Sequence, residues 1–168
     1  MYEVETLIVA IIGALGALYF IGKALYDWYN TPKFRAFYPD RSTKLNCRIG
    51  EERRICINVE NYGRRGEEVG SIFYYFPKNY EVKKMIRNDG KEFETKNKIQ
   101  EGAGIYEGYQ SVSQGIAGIK AAFFSPKEID GVCFDVKFPE KGGLHSIFIA
   151  GYPVNLKAFV LELKLALT

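Results

Sequence analysis

The chain holds almost none of the side chains from which catalytic or metal centres are assembled. Its 168 residues include one His, one Trp, two Met and three Cys. A His-based triad or a His-ligated metal needs partners that a single His145 lacks, so His145 reads as a surface histidine near a turn. No Cys-x-x-Cys pair occurs, which removes the zinc-ribbon and thioredoxin-like readings. Gly102, Gly104 and Gly108 suggest a dinucleotide loop, but the third glycine comes one residue late and no strand–turn–helix pattern surrounds it. These gaps point away from an enzyme, a cofactor, a metal and a small-molecule substrate. A net charge of +3 is too weak to point to nucleic acid. No Asn-x-Ser/Thr sequon is present, which weakens a heavily glycosylated surface role.

Charge is missing from one long stretch as well. From Thr6 to Gly22 there is no ionisable Asp, Glu, Lys or Arg, and the run reads TLIVAIIGALGALYFIG. About seventeen such residues at ~1.5 Å rise span roughly 26 Å, close to a bilayer core. Glu5 stands just before the run. Lys23 ends it, and Tyr26, Trp28 and Tyr29 follow as an interfacial belt would. A cleavable signal needs a basic start and a shorter apolar core, so the segment reads as retained. Lys23, Lys33, Arg35 and Arg41 follow the run and no Lys or Arg precedes it. Counted literally, this puts the domain in the cytoplasm. A basic leader removed ahead of Met1 would void that count.

Beyond the run the composition changes. Aromatics reach 15% and glycine 17 residues, which favours strands with tight turns. Pro32 ends the helix, and Pro39 closes a short extended linker. Period-two alternation then predicts half-buried strands: Ile55, Ile57 and Val59; Val132, Phe134, Val136 and Phe138; Phe159, Leu161, Leu163 and Leu165. Turn residues at Ile49–Glu52, Asn88–Gly90 and Lys141–Gly143 read as hairpin signals. The fold class expected is mainly β: one transmembrane-type helix, then an antiparallel immunoglobulin-like β-sandwich. The division is a hydrophobic helix over 1–31, a linker over 32–43 and a sandwich over 44–168. Glu101 to Gly118, rich in Gly, Ser and Tyr, reads as a long loop or irregular edge. The charged stretch from Glu81 to Lys98 reads as the solvated face of an exposed hairpin.

The three cysteines leave several pairings open. A hairpin centred on Glu51 and Glu52 would set Cys47 opposite Cys56. Cys56 and Cys133 both fall on the outward face of their strands and can pair if those strands are neighbours. Free thiols are the third possibility. Any bridge favours a domain outside the cytoplasm.

The first thirty residues resemble a mature type IV pilin: an N-terminal residue, Glu5, then an uncharged helix running through Leu7-Ile8-Val9-Ala10-Ile11-Ile12-Gly13. The break at Pro32 and the following strands make the chain more similar to archaeal pilins and archaellins than to bacterial pilins. The resemblance implies leader removal ahead of Met1 and pairing of Glu5 with a neighbour's α-amino group in a filament. A carboxylate at the bilayer centre costs about 2.5–3.5 kcal/mol, so such a pair would set the axial step between subunits. Ala10, Gly13, Ala14 and Ala17 form small-xxx-small pairs that let helices approach closely.

The expectation is a structural subunit of a surface filament. Its partners are copies of itself through the helix, and membrane lipid before assembly. Loops such as Tyr106 to Gly118 would then make subunit contacts. The alternative is an unprocessed, membrane-anchored binding or accessory domain, similar to the sandwich proteins of the archaellum stator. The domain is placed outside the cytoplasm, against the literal charge count, and an unprocessed Met1 would reopen a cytoplasmic placement.

Overall fold

The computed structural model describes residues 2–87, 90, 92–94, 99–101, 108–113, 122–124 and 129–168. Helix α1 covers Tyr2–Asn30. It runs unbroken because its interior has no proline and its side chains are chiefly Leu, Ile, Ala and Tyr. It stops where Pro32 disfavours helical geometry at Thr31. Side chains cover two of its last carbonyls: Asn30 Nδ2 donates to Tyr26 O at 2.9 Å and Thr31 Oγ1 to Asp27 O at 2.5 Å. Val4–Asn30 is long and apolar enough to cross a bilayer, and its apolar window is not buried against the rest of the protein.

The remainder is a β-sandwich of twelve described strands. One sheet has the order β1 (Phe34–Phe37), β3 (Glu52–Asn61), β10 (Ile129–Lys137), β5 (Glu81–Arg87) and β6 (Glu92–Glu94). The other has the order β2 (Lys44–Cys47), β12 (Phe159–Leu167), β11 (Gly143–Pro153), β4 (Glu67–Pro77), β8 (Tyr109–Ser113) and β7 (Ile99–Glu101), with β9 (Ala122–Phe124) also on β4. The alternating residues meet between the layers, as their period requires. Ile55, Ile57, Val59, Val132, Phe134 and Val136 face Ile72, Tyr74, Phe76, Ile147, Leu163 and Leu165, all buried. Phe134 is the centre of an edge-to-face group, with Tyr74 at 4.9 Å and Phe76 at 5.1 Å between ring centroids.

Several local expectations need correction. The stretch 32–43 is not only a linker: β1 lies in it and pairs antiparallel with β3, Phe34 opposite Asn61. Burial of Ala36 and Phe37 drives this short strand onto the sheet. The turn at Ile49–Glu52 does not make a hairpin. Instead the chain crosses there from one sheet to the other, and β2 pairs parallel with β12, covering what would be that strand's open edge. The sandwich is therefore mixed rather than purely antiparallel. Lys141–Gly143 likewise connects β10 to β11 across the layers. The expected turn at Asn88–Gly90 joins β5 and β6, which do pair antiparallel. Gly90 takes a φ of 75°, which suits glycine, while residues 88 and 89 lie outside the described residues. The stretch 101–118 contains β8, with residues 102–107 and 114–118 outside the described residues.

Candidate functional site at the helix–sandwich junction

Thr31, Pro32 and Lys33 alone separate α1 from β1. This connection is clamped rather than loose. Asn61, fully buried at the end of β3, accepts the Lys33 backbone N–H on Oδ1 at 3.1 Å and the Gly63 N–H on the same oxygen at 2.9 Å. Its Nδ2 donates to Arg65 O at 2.6 Å. Tyr62 N donates back to Lys33 O at 2.8 Å. Gly63 then lies so close that a Cβ there would sit 2.5 Å from Thr31 O and 2.6 Å from Lys33 N. Only glycine fits.

A second set of contacts fixes β1 from the other side. Phe34 stacks on Phe159 with centroids 4.3 Å apart. The Phe159 ring occupies the space a Cβ on Gly151 would need, 2.0 Å from the nearest ring carbon. Glu60, buried at 5% exposure, accepts hydrogen bonds from Arg35 and Arg41. Two guanidinium groups meet the cost of burying that carboxylate.

Around the helix end sits a collar of aromatic and basic groups. The Lys33 ammonium lies 4.9 Å from the Trp28 ring centre, and the Arg64 guanidinium 4.0 Å from that of Tyr29. Beside them is a cleft of about 550 Å³ lined by Tyr26, Asp27, Asn30, Arg64, Arg65 and Leu156, among others. The loop bearing Leu156 is held by Asn155 N donating to Glu67 Oε1 at 2.9 Å. Chemically, the collar can hold the sandwich at a fixed angle on the helix and offer cations and rings at one level. It presents no nucleophile–base pair.

The residues singled out from sequence fall in different places. Glu5, Ala10, Gly13, Ala14 and Ala17 are all exposed on α1. Helical spacing gathers Ala10, Gly13, Ala14 and Ala17 on one face and turns Glu5 to the side of it. Cys56 and Cys133 are register partners across β3 and β10 and form a disulfide. This selects one of the three possibilities left open. Cys47 is a free, buried thiol, and burial pushes its pKa up. His145 is not a plain surface histidine. It is half-buried, its ring lies 5.5 Å from that of Tyr80, and its Nε2 is buried without a hydrogen-bond partner among the described residues.

Sequence reading overlooked Asn61, Gly63, Arg64 and the Phe34–Phe159 stack. The Asn61-Tyr62-Gly63 run carries a turn signal, but nothing local says that the turn packs on residues thirty positions earlier.

No known family model matches the chain, and no curated protein matches it in sequence. Solved structures do share the fold. A protein from Corynebacterium diphtheriae described as membrane anchored is similar at 10% identity and a TM-score of 0.50, covering 83% of this chain and 36% of its own. The bacterial hydrophobin BslA is similar at 10% identity and a TM-score of 0.48, covering 82% and 95%. AvmM, which catalyses macrocyclization in alchivemycin A biosynthesis, is similar at 11% identity and 0.48, covering 82% and 89%. At these identities the likenesses speak for the fold alone. The chain is thus a β-sandwich protein carrying an N-terminal helix of membrane-spanning length and composition.

Proposed function

We propose that the chain is a structural subunit of a pilus-like surface filament, with α1 in the filament core and the sandwich outside. One observation carries the reading: the apolar surface of α1 is left uncovered by its own sandwich. Such a surface needs lipid or other helices around it. The small-residue face of Ala10, Gly13, Ala14 and Ala17 suits close approach by one neighbour. Glu5, to the side of that face, is available to a second. A helix with two usable faces suits a bundle of many copies better than a lone anchor.

The Cys56–Cys133 disulfide adds support. An oxidised pair suits a domain outside the cytoplasm, whereas the charges flanking α1 suit the opposite side. Removal of a basic leader ahead of Met1 reconciles the two, as the pilin resemblance implies. The aromatic and basic collar favours a second reading, a permanent membrane anchor for an extracytoplasmic binding or accessory domain.

The mass of the N-terminal peptide, taken from protein of the native source and compared with its gene, separates the two. A free or methylated Met1 preceded in the gene by a basic leader is the expected result. An initiator Met1 with nothing upstream would overturn processing and favour the anchor.

A further inference from the structure

We propose that the cleft at the end of α1 binds the phosphate headgroup of an anionic phospholipid. Three observations converge on it. First, its cations lack acid partners. Arg35, Arg41 and Arg54 each pair with a carboxylate. Arg64 and Arg65 line the cleft, are exposed, and form no ion pair among the described residues.

Second, the acid in the cleft does not consume them. Asp27 lines the same wall yet pairs with neither arginine. Lys23, four residues earlier and so on the same helix face, stands one turn below it. A phosphate at the mouth would meet Arg64 and Arg65 above and Lys23 below, a cationic surround that outweighs one carboxylate.

Third, the level and lining fit a lipid rather than a dissolved anion. The cleft opens where the apolar helix ends, lined there by Tyr26, with Trp28 and Tyr29 at the same level around the helix. Leu156 gives it an apolar wall at 37% exposure. The Arg64 side chain is already oriented over the Tyr29 ring, which lowers the cost of fixing it. The occupant that puts a phosphate in this cleft and acyl chains along α1 is a phospholipid of the leaflet facing the sandwich. This inference rests on α1 residing in a bilayer at some stage, which the filament and anchor readings share.

The test uses the full chain in vesicles of phosphatidylcholine with one tenth phosphatidylglycerol. Either lipid carries brominated acyl chains that quench tryptophan. In Tyr26→Trp with Trp28→Phe, the single tryptophan reports the cleft. In the parent chain, Trp28 reports the far side of the helix. Expected is several-fold enrichment of phosphatidylglycerol at position 26 and none at position 28. Each of Arg64→Gln and Arg65→Gln should lower that enrichment, and the two together should abolish it, as should added salt. Unchanged near-ultraviolet circular dichroism would show that the variants fold. Quenching at position 26 in proportion to each lipid's share of the bilayer would overturn the headgroup site while leaving membrane insertion standing. Displacement of the phosphatidylglycerol by millimolar glycerol phosphate would assign the site to free phosphate esters instead. Absence of quenching by either lipid would overturn the membrane reading itself.

Discussion

Asn61 takes the backbone N–H of Lys33 on its side-chain oxygen, and so ties the exit of the helix to the end of β3. The same buried amide serves Gly63 and Arg65. A polar group this enclosed is worth little net when satisfied, yet costly when its partners are orphaned. Asn61→Ala should therefore destabilise the sandwich by about 1–3 kcal/mol in urea unfolding. Gly63→Ala should act more locally, because its Cβ meets the Thr31–Lys33 backbone. Faster proteolysis between Thr31 and Arg35, with a smaller loss of global stability, is the expected result. Unchanged cleavage would mean that the junction is loose in solution.

The thiol count is equally specific. Burial raises the Cys47 pKa and covers the thiol, so it should not react with a thiol reagent in the native state. Unfolding without reductant should release one reactive thiol, and unfolding with reductant all three cysteines. Replacing Cys56 and Cys133 together by Ser should cost about 2–4 kcal/mol. Two fast-reacting thiols in the native protein would contradict the bond.

Stability should fall at both extremes of pH. Arg54 donates from Nε and Nη2 to the two oxygens of Asp135, at 2.7 and 3.0 Å, and this hydrogen bonding holds the Asp135 carboxyl below its ordinary range. The folded pKa lies below the unfolded one, so the contribution is whole at neutral pH. It fades as pH falls below about 4. The stability gap between the parent and Asp135→Asn should shrink over that window. Tyr38 and Tyr80 give the opposite arm. Burial raises both phenol pKa values, so their contribution is whole below about pH 10 and is lost as pH rises beyond it. In a phenolate absorbance titration these two should ionise only as the sandwich unfolds.

Phe134 is fully buried between Tyr74 and Phe76. Phe134→Ala should cost about 3–5 kcal/mol, from lost burial plus the cavity left behind. A loss under about 1 kcal/mol would mean that the two sheets do not meet at this ring.

The features legible in the sequence are those with a local period. The apolar run of α1, the alternation in β3, β10 and β12, and the β5–β6 hairpin all announce themselves within a few residues. What stayed hidden depends on distant partners. Lys44–Cys47 is too short to declare its neighbour, and that neighbour is the final strand of the chain. Cys56 finds Cys133 rather than Cys47 because β10, not β2, lies beside β3. The pair was legible only as one option, since strand order is not written in alternation. The junction was the least visible part. Its essential groups are an asparagine and a glycine in a turn, and their meaning comes from Thr31 and Lys33 pressed against them.

The central claim is that copies of α1 pack together in a filament. The most direct test is to shear cells of the native source and measure how the protein divides between sheared filaments and the remaining membrane. The account predicts a large share in the filament fraction, seen as fibres by electron microscopy and labelled by antibody to the sandwich, and a loss of that share for Glu5→Ala. Recovery of all the protein as a detergent-soluble monomer from the membrane fraction would contradict it.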